Sequence, residues 1–332
     1  MEALNDNNIK LTLASYYTNI PFNKILSPFG FGEHPNENLK NLVINCHITP
    51  DGKFNISITC DLADDIDIHT SMFKENNISP LIEGFKHATS VKRLKIHHNY
   101  THTNNVFDEN FVEKIPNCLE SLDLSGMRTM DELPCALPDS LLSINISNTN
   151  ITKLPEKLPP GLIEIKANNA NLTRLPQKLP NTLKILHCDN NSLTSFPNDL
   201  PDSIIELSFN NNKKMYGNID KLPAALITFM CADTHIFSLP KELPSTLKIL
   251  NCENCNILKL PELLPNGLEK LNCKSNNYIH ELPNLPLSLK YVNIDFNNPC
   301  LKLKYKNLEA LSSEVNEPKN IINKINNYNK KK

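Results

Sequence analysis

Between about residue 115 and residue 298 the apolar positions return on a fixed beat. A Leu-Pro-x-x-Leu-Pro unit, or a close variant, places its second leucine at Leu137, Leu158, Leu179, Leu200, Leu222, Leu243, Leu264 and Leu285, at spacings of 21, 21, 21, 22, 21, 21 and 21 residues. Ile115-Pro116 extends the series upstream. After each unit comes a second pattern, Leu-x-x-Leu-x-Leu-x-x-Asn, as in Leu183, Leu186, Cys188, Asn191 and again Leu268, Leu271, Cys273, Asn276. Its central alternation predicts a short strand with one face inward, because side chains along a strand point to opposite faces with period two.

A coil that buries only one face is stable when stacked on copies of itself, and this pattern is the leucine-rich-repeat signature. The expected fold class is an α/β solenoid, a leucine-rich-repeat horseshoe with a parallel concave β-sheet, an extended Leu-Pro convex side and a small α/β N-terminal cap. About 21 residues per coil leave no room for a convex helix, and proline holds that side extended. This accounts for 24 Pro beside only 8 Gly. The Asn position, whose amide can satisfy backbone groups of neighbouring coils, reads Asn99, Met127, Thr149, Ala170, Asn191, Asn212, Thr234, Cys255, Asn276 and Asn297. With Val91, Leu94, Ile96 and Asn99 as one more coil, the solenoid spans residues 91–300 in about ten coils.

Both ends of a solenoid need caps. Residues 41–60 alternate apolar and polar around Pro50-Asp51-Gly52, which predicts a β-hairpin. Residues 67–88, with Ile68, Met72, Ile78, Leu81, Ile82 and Phe85, suggest helix, so residues 1–90 form the N-terminal cap. Beyond the array, residues 301–332 predict one cap helix over Tyr305–Val315, with Leu308, Leu311 and Val315 as its apolar face, then a basic disordered tail.

Net charge is near zero (34 Lys and Arg against 36 Asp and Glu), which removes the electrostatic case for nucleic acid. No stretch is long and apolar enough to span a membrane, and Met1 to Asp6 lack the features of a cleaved secretory signal. Cys188, Cys231, Cys252 and Cys273 share one inward strand position, where free Cys behaves as a small hydrophobe and in-register neighbours tolerate little oxidation. A reducing compartment is expected.

The 21-residue unit, as in Leu154-Pro155-Glu156-Lys157-Leu158-Pro159-Pro160-Gly161-Leu162, resembles the LPX-type leucine-rich repeats of secreted bacterial effectors of the IpaH and YopM type. The likeness covers roughly residues 115–298 and implies a protein delivered into the host-cell cytoplasm, where the concave face recruits a host protein. Ubiquitin-ligase members of that group continue into a large catalytic domain with a nucleophilic Cys. Here 32 residues follow the array, so ligase activity is not expected, and the Trp-bearing helical N-terminus of those proteins has no counterpart in a chain with no Trp.

Candidate chemistry is sparse. Cys252-x-x-Cys255 has zinc-knuckle spacing, but Cys252 takes a strand core position and Cys255 the Asn position. His69, His97, His98 and His102 lie near one another without carboxylate or Cys at ligand spacing, and no phosphate-binding glycine loop, His-Glu-x-x-His or Gly-x-Ser-x-Gly occurs. No catalytic residue, metal or cofactor is expected, and the chain is read as no enzyme.

The concave face carries the functional expectation. Its N-terminal coils present a Ser- and Asn-rich surface (Ser121, Asp123, Ser125, Ser143, Asn145, Ser147), whereas later coils set apolar groups among charges. The partner-binding set is Ile185, His187, Asp189, Glu206, Thr228, Met230, Ile249, Asn251, Glu253, Lys270, Asn272, Tyr291 and Asn293, with His187, Met230, Ile249 and Tyr291 as anchors. The expected partner is a host protein met by a monomer without covalent chemistry. The alternative is a substrate-recruiting subunit of a ubiquitin-ligase complex, with residues 1–90 holding the ligase.

Overall fold

The computed structural model of the 332-residue chain describes the strand backbone at 8–14, 41–48, 54–61, 65–69 and 93–97, and residues 117–128, 130–133, 135–295, 298–305 and 318–331. Two compact units divide it, Met1–Ala170 and Asn171–Lys332. Both contain parallel-strand β-solenoid of the leucine-rich-repeat kind, which antiparallel strands precede in the first unit.

The N-terminal unit begins with strands β1 (Asn8–Ala14), β2 (Asn41–Ile48), β3 (Phe54–Asp61) and β4 (Asp65–His69). Strands β2 and β3 run antiparallel with Ile48 opposite Phe54, the hairpin expected around Pro50-Asp51-Gly52. Strand β1 pairs with the other edge of β3, an element the sequence reading did not anticipate. The helical expectation for residues 67–88 is corrected over its first three residues. Asp65-Ile66-Asp67-Ile68 alternates with the period of a strand, and β4 pairs parallel with β2 and with β5 (Arg93–His97), setting Ile66 beside Leu94 and Ile68 beside Ile96. Residues 70–88 lie outside the described residues. Strands β6 (Ser121–Asp123), β7 (Ser143–Asn145) and β8 (Glu164–Lys166) continue in parallel, and their central residues Leu122, Ile144 and Ile165 are fully buried.

In the C-terminal unit the main sheet runs β9 (Ile185–His187), β10 (Glu206–Ser208), β12 (Thr228–Met230), β14 (Ile249–Asn251), β15 (Lys270–Asn272) and β16 (Tyr291–Asn293), all parallel. A second, two-stranded parallel sheet pairs β11 (Tyr216–Asn218) with β13 (His235–Ser238). The inward residues Leu186, Leu207, Phe229, Leu250, Leu271 and Val292 are at most 1% exposed. Burying each contributes roughly 2 kcal/mol. Phe196 meets Phe209 and Phe229 edge to face at 5.5 and 6.0 Å, packing the coils where a 22-residue spacing interrupts the 21-residue beat.

Side-chain clips hold successive coils. Asn276 donates to the carbonyls of Cys252 and Cys273 (2.8 and 3.0 Å) and accepts from the backbone N–H of Ile257 (2.8 Å), and Asn191 and Asn212 do the same work in their coils. Thr234 and Cys255, in place of the amide, each donate to the Cys231 carbonyl and lie within bonding distance of each other. At the last coil Asn298 is the buried residue that donates to Asn276 and Ile279, so the ladder position expected at Asn297 falls one residue later. The second proline of each unit opens a turn: Pro180, Pro201, Pro244 and Pro265 each accept from the N–H three residues on, which starts the next inward run. Ser203, Thr246 and Ser288, inside such turns, donate to a carbonyl one coil earlier.

The C-terminal end corrects the expected disordered tail, while the expected cap helix over Tyr305–Val315 falls almost wholly outside the described residues. A short helix α1 (Pro299–Lys304) starts at the Asn298 cap, and Tyr305 terminates it. Residues 306–317 lie outside the described residues. The stretch expected to be a disordered tail holds helix α2 (Lys319–Asn329), with Ile321, Ile322 and Ile325 buried. Asn326 bonds both the N–H and the carbonyl of Leu285 (2.8 and 2.9 Å), and Asn329 donates to the carbonyl of Leu282. Asn-rich composition concealed an isoleucine stripe at helical spacing.

Candidate functional site

All thirteen residues of the partner-binding set belong to the C-terminal unit. Strand register sorts them into rows. Ile185, Glu206, Thr228, Ile249, Lys270 and Tyr291 align across the six strands, and so do His187, Ser208, Met230, Asn251, Asn272 and Asn293. Asp189 and Glu253 lie two residues beyond the second row. With about 5 Å per strand step, Ile249 and Tyr291 are roughly 10 Å apart, and Met230 sits diagonally next to Ile249.

Except for Lys270, which is exposed, each of the thirteen is half-buried, as expected for the outer side of strands whose inner side is core. Ser208, in the second row, is almost fully buried by its bond to Asp189.

One further row escaped the sequence reading. Ile205 and Ile227 immediately precede strands β10 and β12, and Ile227 N–H donates to the Ile205 carbonyl (2.9 Å), so they stack directly. Ile227 is 37% exposed. They lie one residue before the outward rows, whose own apolar members across β9 to β14 are Ile185, Ile249 and Met230. The signal was the doublet Ile204-Ile205, of which only the first member is fully buried. Further along this row Glu269 stands between Lys248 and Lys290 (3.8 and 2.7 Å), and the hydrogen bond from Lys290 holds its carboxyl below the usual range.

The polar members brace one another. One Asp189 carboxylate oxygen accepts from the Ser208 hydroxyl (2.6 Å) and the Asn210 N–H (2.7 Å), Asn251 accepts from the Glu253 N–H, and Asn272 donates to Glu253 (2.8 Å). His187 Nε2 lies 3.4 Å from a Glu206 carboxylate oxygen. These bonds leave the apolar side chains as the part of the face with no internal use.

Cys188, Cys231, Cys252, Cys255 and Cys273 are buried thiols. Burial pushes the Cys273 thiol up to about 12 and raises Cys188 and Cys252 as well, whereas hydrogen bonds from Cys231 and Thr234 lower Cys255. Among the described residues no group of three or more His, Cys, Asp and Glu is arranged to hold a metal ion, and no helix is long and apolar enough to cross a membrane. His69 and His97 are register partners in β4 and β5, while His98 and His102 lie outside the described residues.

No protein-family model matches the chain, and no curated protein matches it. Among solved structures, a chain described as the novel molecular architecture of YopM, a leucine-rich effector protein from Yersinia pestis, is similar at 27% identity with a TM-score of 0.46. The match covers 64% of this chain and 61% of that one, so it spans less than two thirds of the neighbour's length.

Proposed function

We propose that this chain is a non-enzymatic protein-binding module that engages its partner through the outward sheet face of the C-terminal unit. The observation that carries the reading is the set of outward apolar side chains Ile185, Met230 and Ile249, with Tyr291 beyond them, among Glu206, Asn251, Glu253 and Lys270. Apolar groups surrounded by braced polar ones have the anatomy of an interface core and rim. Stacked repeats supply a long, rigid platform for such a surface, so little ordering cost accompanies binding.

The more specific reading is an effector that acts as a monomer on a host protein in the host-cell cytoplasm. The Leu-Pro unit and its resemblance to LPX-type effector repeats support it. Affinity capture from host-cell lysate, comparing wild type with the Met230→Glu, Ile249→Glu double variant, tests the surface. A protein captured by wild type and lost by the variant is expected. Equal capture by both would remove the sheet face from consideration.

A further inference from the structure

The coils between Asn212 and Leu264 depart from their neighbours on a second surface. At the repeat position three to four residues past the ladder residue, earlier coils carry Thr173 and Thr194, whereas the next three carry Tyr216, Phe237 and Leu258. Backbone bonds stack them in that order: Tyr216 N–H donates to Thr194 and Leu258 N–H to Phe237, each at 3.2 Å. The rings of Tyr216 and Phe237 are 5.2 Å apart, and Tyr216 is 70% and Leu258 50% exposed.

This stripe is built on the second sheet. Gly217 there adopts φ +132, a left-handed-side conformation strained for any other residue, at the point where the β11–β13 register shifts. Next to the sheet lies a groove of about 660 Å³ whose walls include Lys221 and Lys241 together with Asp220 and Glu242. Five lysines flank the stripe and groove (213, 214, 221, 241 and 259) against four acids (202, 220, 242 and 262), a local excess of one positive charge in a chain whose net charge is −2. Among the described residues Lys213, Lys214 and Lys241 have no ion-pair partner, while Lys221 and Lys259 pair with Asp202 and Glu262.

We propose that this stripe and groove form a second docking site, for an extended acidic peptide segment bearing apolar or aromatic side chains. The apolar side chains lie on Tyr216, Phe237 and Leu258, and the acids meet Lys213, Lys214 and Lys241. A nucleic acid is the weaker fit, since so few lysines neutralise few phosphates. Addition of a strand to the sheet is not the mode, because the neighbouring coils already use backbone groups of β11 and β13.

Selection from a random peptide display library on the immobilised full chain tests this. Enriched peptides are expected to be rich in Asp and Glu with interspersed apolar residues. Their affinity should fall about tenfold or more in Tyr216→Ala and in Lys213→Glu, Lys214→Glu, and weaken with added salt. The sheet-face variant Met230→Glu, Ile249→Glu should bind them unchanged, which separates this site from the one proposed above. All three variants replace surface side chains, and thermal melts check their folding. Failure to enrich peptides, basic or purely apolar consensus sequences, indifference to Tyr216→Ala, or displacement by an oligothymidylate would each overturn the proposal.

Discussion

The outward faces of the two units differ although the central inward residue of each strand is alike. In the N-terminal unit, β6 and β7 turn out Ser121, Asp123, Ser143 and Asn145 around buried Leu122 and Ile144. In the C-terminal unit, β9, β12 and β14 turn out Ile185, Met230 and Ile249 around buried Leu186, Phe229 and Leu250. Sheet geometry separates the two jobs: alternate residues fix the fold, and the others vary without cost to the core. A second contrast lies inside. The third inward position is Leu124, Ile146 and Ala167 in one unit, whereas four of the six coils in the other place Cys188, Cys231, Cys252 and Cys273 there, beside Phe209 and Ile294.

The largest expected break is Phe229→Ala. It empties a fully buried ring site against Phe196 and should cost about 4 kcal/mol in chemical denaturation. Next is the ladder: Asn276→Ala removes bonds to three carbonyls and two N–H groups and should cost about 3 kcal/mol, whereas Thr149→Ala in the N-terminal unit loses a hydroxyl bonded to the Ile146 carbonyl and should cost about 1 kcal/mol.

The thiol contrast gives a pH dependence. A folded thiol raised toward 12 stays neutral while its unfolded counterpart ionises near 9, so its stabilising contribution is complete below 9 and declines as pH rises toward 12. Denaturation of the C-terminal unit should therefore become easier by on the order of 1 kcal/mol per pH unit over that window, and Cys273→Val should reduce the loss. The smallest effect sharpens the comparison from outside. Met230→Ser with Ile249→Ser, which copies the N-terminal pattern, should change stability by no more than about 1 kcal/mol by thermal melt while weakening partner capture.

Periodicity made the solenoid legible, because each coil repeats its inward positions and nine Leu-Pro units leave no competing register. The hairpin was legible from its turn chemistry. Strand β4 was not, since the window around Ile68, Met72 and Ile78 also fits a helical spacing and only pairing to Leu94 and Ile96 decides it. Helix α2 hid for a related reason: its stability comes from Asn326 and Asn329 gripping the last coil, a tertiary contact that composition does not record. At the candidate site, register fixed which residues face outward. Ile205 and Ile227 were missed because residues flanking a three-residue strand carry no alternation of their own, and the stripe at Tyr216 because it depends on contacts between coils.

The coil that carries Tyr216 sets Glu206 opposite Thr228, 22 residues on, while its predecessor sets Ile185 opposite Glu206, 21 residues on, and the main sheet stays in step across both. The extra residue is taken up between Asn212 and Tyr216. Such a chain has a ruler on one side and slack on the other. Loop lengthening by natural insertion, or a grafted tag between the exposed Lys213 and Lys214, should leave the ruler unread, so new surfaces can accumulate on the slack side of any coil without renegotiating the core.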